Sequence, residues 1–197
     1  MTIDDQIEPR TRTAWRTWLR ANHTRTTGTW VVFPKPSKAG ARGLTYEALV
    51  EEALCFGWID SRPRGVDDDR TSLWFSPRKR GSAWAATNKA RVVRLIAAGK
   101  MHAAGLAAVE RAKADGSWSK IDASEAYVEP ADLLRAFRGH AGAKRNWDAF
   151  PPGVRKAILQ WIELAKTPAT RQKRIAETAE KASRNIRANQ WVRPTAR

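Results

Sequence analysis

Apolar residues recur every three or four positions along much of the chain, which is the spacing of an amphipathic helix. The clearest stripe includes Val154, Ile158 and Ile162. Three β-rich runs interrupt this pattern in the first half of the chain. The stripes predict helices over residues 11–21, 45–56, 88–98, 103–115, 130–137, 152–165 and 167–185.

Capping residues support several of these helix ends. Thr45 and Thr167 are good N-caps, because a threonine oxygen can accept a hydrogen bond from a first-turn N–H group. Gly99 and Gly116 stand where glycines commonly end helices. Pro168 suits the first helical position, so the last helix is expected to begin there.

The β-rich runs predict a small sheet. Residues 29–33 are β-branched and aromatic, and prolines follow them. Residues 58–64 and 71–76 flank an acidic turn, which predicts an antiparallel hairpin. The predicted fold class is therefore α+β. A small antiparallel sheet with helices forms an N-terminal domain over residues 1–120, and residues 121–197 form an all-helical region that ends in a basic helix.

Composition limits the class of protein. The chain has 197 residues, of which 42% are hydrophobic and 28% charged, as in a folded globular protein. A single cysteine excludes an internal disulfide framework. No apolar run approaches the ~20 residues of a membrane span. The acidic start lacks the apolar core of a signal peptide, so a cytoplasmic location is expected.

The net charge of +16 raises the question of an anionic partner. After Gly81 the chain has 22 basic and 10 acidic residues. The favoured interpretation is a set of solvated helix faces. The alternative is a nucleic-acid-binding protein, whose basic C-terminal helix would follow a phosphate backbone. For that alternative the candidate residues are Lys166, Arg171, Lys173, Arg174, Lys181, Arg184 and Arg187.

The usual catalytic and metal-binding motifs are absent from the sequence. The three histidines and Cys55 have no metal-ligand spacing, so neither a metal nor a cofactor is predicted. Cys55 lies on a helical apolar stripe and is expected to be buried. No glycine-rich phosphate loop and no nucleophile-elbow motif occurs. A non-enzymatic role is therefore favoured.

One cluster of aromatic, basic and polar residues stands out. It suits an aromatic-walled pocket for a small anionic or polar ligand. It equally suits a tryptophan-rich core closed by an ion pair between Asp60 and an arginine, with Ser82 or Thr87 capping the next helix. An active site is the least favoured interpretation, because no second carboxylate or histidine accompanies Asp60. The candidate residues are Trp58, Asp60, Arg62, Phe75, Arg78, Ser82, Trp84 and Asn88.

The same segment carries a resemblance to a known family. Residues 52–60 resemble the signature of the bacterial YdeI/OmpD-associated proteins, also called bacteriocin-protection proteins. The similarity continues through residues 75–78, 112–118 and 161–171. The resemblance implies protection against bacteriocins and antimicrobial peptides, and a link to an outer-membrane porin. It brings no catalytic residue with it.

The charge limits how such protection can work. Many antimicrobial peptides are cationic, and a protein of net charge +16 repels them. Protection is therefore expected to be indirect, through an anionic partner or a small-molecule ligand. The oligomeric state does not follow from the sequence.

Overall fold

The computed structural model describes residues 6–37 and 44–190. The sequence predicts a glycine- and lysine-containing loop over residues 37–43, and residues 38–43 of it lie outside the described residues. Trp191 and the last basic residues lie outside them too. The chain divides into two compact units, Met1–Trp118 and Ser119–Arg197. The fold class is confirmed: the first unit contains helices and a sheet, and the second is helical in its described part.

In its described residues the first unit contains a four-stranded sheet and four helices. Its elements are β1 Gln6–Ile7, α1 Arg12–Asn22, β2 Thr29–Pro34, α2 Tyr46–Cys55, β3 Trp58–Gly65, β4 Arg70–Pro77, α3 Ala86–Ala97 and α4 Ala103–Ala114. The strands lie in the order β1-β2-β4-β3. β3 and β4 form the predicted antiparallel hairpin, and β2 pairs antiparallel with β4. β1 pairs parallel with β2, so the sheet is mixed, whereas an antiparallel sheet was expected.

The two faces of the sheet have different surroundings. Successive side chains of a strand point to opposite faces. Val31 and Phe33 of β2 accordingly join the hydrophobic core. On the other face the guanidinium group of Arg64 lies over the ring of Trp30, at 4.2 Å from its centroid. Arginines thus cover the outer aromatic surface while the helices cover the inner one.

A buried carboxylate joins the first two helices. Glu52 on α2 is only 2% exposed. Its two oxygens accept hydrogen bonds from Arg12 Nε at 2.5 Å and Arg16 Nη1 at 2.6 Å. A second guanidinium nitrogen of Arg16 donates to the carbonyl oxygen of Lys100 at 2.8 Å. The charge is therefore paired on both oxygens, as burial of a carboxylate requires.

α4 approaches α2 very closely at Gly105. A Cβ atom built on Gly105 would lie 2.6 Å from the carbonyl carbon of Cys55, and closer still to its oxygen. Only a residue without a side chain fits there. Cys55 itself is fully buried, and burial raises the pKa of its thiol. Such a thiol is poorly suited to act as a nucleophile.

The helix ends follow local chemistry with one correction. Thr45 Oγ1 accepts the N–H of Ala48 at 3.2 Å, which confirms it as an N-cap. The prediction that Ser82 or Thr87 caps the next helix is wrong. α3 begins after Ala85 with no side-chain cap, and the Ser82 hydroxyl instead donates to the carbonyl of Lys79.

His102 caps α4 through a bond that protonation of its ring nitrogen would break. Its Nδ1 accepts the N–H of Ala104 at 3.2 Å. The ring centroid of His23 lies 4.8 Å from that of His102. Burial, together with the nearby His23, Arg20 and Arg16, lowers the pKa of His102. The folded state therefore disfavours the imidazolium form.

Stability is expected to fall on mild acidification because of His102. Below about pH 6.5 the unfolded chain binds a proton at this residue more readily than the folded chain does. The free energy of unfolding therefore decreases as the pH falls. His102→Asn keeps a capping side chain that does not titrate. The free energy of unfolding, measured with urea, should decrease less between about pH 7.5 and about pH 5.5 for this variant than for the wild type. An equal decrease in the variant and in the wild type would contradict the expectation. His140→Asn is the control for replacing a histidine by asparagine.

The second unit packs its helices around a separate core. Trp147 and Ile158 are fully buried there. The Nε1 atom of Trp147 donates to Glu129 Oε1 at 2.8 Å, which satisfies the buried indole. The elements are α5 Asp122–Glu125, α6 Ala131–Arg138, α7 Ala143–Ala149, α8 Pro152–Glu163 and α9 Pro168–Ser183. The two short helices α5 and α7 were not predicted.

Candidate anion-binding cleft

A cleft in the first unit lies between the loop that follows β4 and the C-terminal half of α4. It opens to solvent and has a cavity volume of about 20 Å³. The residues after β4 contribute Arg78, Lys79 and Arg80. The backbone N–H of Arg78 donates to the carbonyl of Gly57 at 2.9 Å, which fixes the chain as it leaves the sheet.

Arg78 is the most unusual side chain of the cleft. Its guanidinium carbon lies 3.7 Å from the ring centroid of Trp84, in a cation–π contact. Its Nη2 donates to the carbonyl of Ala83 at 2.7 Å. Its buried Nε has no hydrogen-bond partner among the described residues, and no carboxylate there lies within ion-pair distance. Burial lowers the pKa of Arg78 to about 10, an effect that the charge of Asp60 partly opposes.

Most of the other polar side chains that line the cleft are cationic. Lys79, Arg80 and Arg111 are exposed and line the cleft together with Arg78. Asp115 is the one acidic residue of the lining among the described residues, where four cations face one carboxylate. Buried alanines of α4 and the buried ring of Trp84 form the apolar part of the wall.

Backbone groups hold the Asp115 carboxylate. The N–H of Ser117 donates to Oδ1 at 3.0 Å, and the N–H of Gly81 donates to Oδ2 at 3.2 Å. Hydrogen bonds from Ser117 and Gly81, with the charge of Arg80 nearby, lower the pKa of Asp115. This carboxylate therefore ties the loop after β4 to the end of α4 and stays ionised near neutrality.

The structure separates the sequence-predicted cluster into several environments. Trp58 and Phe75 are fully buried core residues, and neither lines the cleft. Arg78 and Trp84 do line it. Asp60 accepts a hydrogen bond from the hydroxyl of Tyr46 at 3.1 Å. The suggested Asp60–arginine ion pair does not form within the part of the chain that the structure describes.

The remaining members of the cluster lie outside the cleft lining. Arg62 is exposed, with its guanidinium carbon 5.7 Å from the ring centroid of Trp74. Asn88 accepts a hydrogen bond from Arg91 at 2.8 Å through its side-chain oxygen. Ser82 lies in the loop before α3 and turns its hydroxyl to the backbone. The structure therefore brings together only two of the eight predicted residues at the cleft.

Sequence reasoning missed the side of the cleft that α4 forms. Arg111 and Asp115 come from the end of α4, and Asp115 is 34 residues beyond its partner Gly81. No motif links such distant positions. The one available signal was the adjacent Lys79 and Arg80, which extend the predicted Arg78 into a run of three cations.

The residues of the nucleic-acid alternative are largely engaged within the second unit. Asp132 binds Arg171 at 2.9 Å, and Glu177 and Glu180 pair with Lys181 and Arg184. Arg174 lies over the ring of Trp161 and donates to its carbonyl. Lys166, Lys173 and Arg187 are exposed. Nucleic-acid binding by this helix stays a prediction.

Residues 6–37 and 44–190 hold neither a cluster of metal-ligating side chains nor a helix that could span a membrane. No group of three or more His, Cys, Asp or Glu side chains there is placed to hold a metal ion. Over the same described ranges, none of the helices has both the length and the apolar character that crossing a bilayer demands.

Two family models match different parts of the chain. Residues 7–108, more than half of it, match a model described as a domain of unknown function, DUF8412. Residues 126–185 match the model described as bacteriocin-protection, YdeI or OmpD-associated. The second match, which contains residues 161–171, confirms the resemblance to that family. Residues 52–60 and 75–78 lie within the first match, and residues 112–118 lie in neither. No curated protein and no solved structure matches the chain.

Proposed function

This chain belongs to the family described as a domain of unknown function, DUF8412, and from its cleft we propose that it is a non-enzymatic protein that binds a small anion. The match of its C-terminal part to the bacteriocin-protection model supports a role in antimicrobial or stress resistance. In this proposal the protein acts in the cytoplasm by binding a ligand, and it does not capture cationic peptides.

The observation that carries the proposal is the state of Arg78. A buried guanidinium is ordinarily paired with a carboxylate, because desolvating a charge is costly. Here burial depresses the pKa to about 10, and one buried N–H group has no partner in the described chain. A bound anion would supply the missing negative charge. Phosphate and carboxylate are the groups that match the guanidinium fork.

The other cleft residues suit attraction and positioning of an anion. Lys79, Arg80 and Arg111 raise the local concentration of anions near the opening. Asp115, the one carboxylate that the described part of the chain contributes to the lining, is held by backbone N–H groups and has a lowered pKa. A base for catalysis near neutral pH needs a raised pKa and a free lone pair. Binding without chemistry is therefore the function that this lining favours.

Titration of the full chain with inorganic phosphate at constant ionic strength tests the proposal. Isothermal titration calorimetry should detect binding, and phosphate should raise the melting temperature by stabilising the folded state. Arg78→Gln should weaken binding about tenfold or more, because it removes the half-buried charge of the cleft. Arg111→Gln, an exposed change on α4, should weaken it about threefold while leaving the fold intact.

Arg62→Gln is the matched control, since Arg62 is an exposed arginine of the neighbouring strand and does not line the cleft. Its phosphate affinity should equal that of the wild type. Absence of phosphate binding by the wild type would refute the proposal. So would equal losses in the Arg62 and Arg111 variants, because general charge attraction would then explain all binding.

A further inference from the structure

A second pocket lies within the C-terminal unit, and its chemistry differs from that of the cleft. It opens to solvent and has a cavity volume of about 70 Å³. One part of its lining is apolar, and the other part carries a carboxylate and a guanidinium group. The residues that matter for recognition are Val128, Leu159, Ile162, Ser124, Glu163 and Arg171.

Glu163 presents one engaged and one open oxygen. The hydroxyl of Ser124 donates to Glu163 Oε2 at 2.5 Å, and the backbone N–H of Ser124 donates to the same oxygen at 3.3 Å. Ser124 is only 2% exposed, so this anchor is firmly packed. Within the part of the chain that the structure describes, Oε1 of Glu163 accepts no hydrogen bond and joins no ion pair.

The guanidinium group of Arg171 is also bound by the protein on one side, and it carries the opposite charge. Its Nε and Nη2 donate to the two oxygens of Asp132 at 2.9 and 3.0 Å. This pairing holds the pKa of Asp132 below its usual value. The remaining nitrogen, Nη1, has no acceptor among residues 6–37 and 44–190. Protein contacts thus fix one side of each charged group and leave the other side for a ligand.

We propose that this pocket binds an aliphatic α-amino acid. Its ammonium group would donate to Glu163 Oε1, and its carboxylate would accept from Arg171 Nη1. Its side chain would lie against Val128, Leu159 and Ile162, where burial of apolar surface adds affinity. A ligand with a single charge leaves one of the two fixed groups without a partner, which lowers its affinity. This inference is independent of the anion cleft.

L-Leucine and two analogues that each lack one charge test the inference. Isothermal titration calorimetry with the full chain should give a Kd for leucine of about 1 mM or lower. 3-Methylbutylamine lacks the carboxylate and 4-methylpentanoate lacks the ammonium group, and each should bind about tenfold more weakly. Glu163→Gln should weaken leucine binding about tenfold, because the neutral amide keeps an oxygen for Ser124 but loses the charge.

Glu180→Gln is the control, since Glu180 is an exposed carboxylate of the same unit that pairs with Arg184. It should bind leucine as the wild type does. The inference is overturned if leucine at about 10 mM gives no binding, or if either analogue binds as tightly as leucine. Unchanged affinity of Glu163→Gln would overturn it too. Should that variant not fold, the comparison of analogues on the wild type still decides.

Discussion

Gly105→Ala is expected to lower the free energy of unfolding of the N-terminal unit by about 3 kcal/mol. The new methyl group would overlap the backbone carbonyl of Cys55, with 2.6 Å to its carbon. Backbone atoms at the end of a helix cannot rotate away as a side chain can. α4 must therefore move off α2, which opens the packing around Cys55 and Leu54. Chemical denaturation followed by circular dichroism measures the loss.

Gly153→Ala is the matched control for this prediction. Gly153 also lies in the first turn of a helix, α8, but its added Cβ would meet no atom within 4 Å among the described residues. Alanine has the higher helix propensity, so this variant should be unchanged or gain up to about 1 kcal/mol. A Gly105 variant as stable as wild type would show that α2 and α4 are not so closely packed.

Glu52→Gln is expected to destabilise the same unit by about 2 kcal/mol at neutral pH. The change conserves shape but removes the negative charge from between two guanidinium groups. Arg16 would then remain partly buried without a counter-ion, Arg12 would keep only its pair with Glu51 at 2.9 Å, and the amide can accept on one oxygen only. The loss should appear as a lower midpoint in urea with little change in slope.

Glu110→Gln provides the comparison for that loss. Glu110 forms an exposed ion pair with Lys113 at 2.9 Å, one turn away on α4. Exposed pairs of this kind contribute from nothing to about 1 kcal/mol, so its variant should be close to wild type. If both substitutions cost the same, the Glu52 pairs are no more important than a surface pair.

Helix ends were the most predictable part of this fold, because they depend on neighbouring residues alone. The Thr167 hydroxyl accepts the N–H of Thr170 at 3.1 Å, as expected of an N-cap. Gly99 and Gly116 have φ values of +63° and +74°, the left-handed conformation that favours glycine. These agreements needed no knowledge of tertiary structure.

Elements that depend on distant contacts were not predictable. β1 has two residues, Gln6–Ile7, too few to show any periodicity, and only its parallel pairing with β2 defines it. α7 begins after Gly142 without a side-chain cap. The burial of Trp147 and its bond to Glu129 anchor that helix to the core. In both cases tertiary contacts decide the local structure.

The candidate cleft shows the same limit. Residue types alone drew attention to Arg78 and Trp84, because an aromatic-walled pocket with an arginine suits an anionic ligand. They also drew attention to Trp58 and Phe75, which are apolar core residues. A sequence cannot distinguish an aromatic side chain that walls a cleft from one that fills a core. That distinction arises only when α4 brings Arg111 and Asp115 to the end of the sheet.

The half-buried position of Arg78 has a consequence for how a ligand can be identified. With a pKa of about 10, Arg78 keeps its charge throughout the neutral range. Asp115, whose pKa is lowered, is ionised over the same range. A change of affinity between about pH 5 and about pH 7 would therefore report the ionisation of the ligand. A phosphate monoester loses its second proton near pH 6, whereas a simple carboxylate is already ionised there. The pH profile of binding thus distinguishes the two chemical classes of ligand.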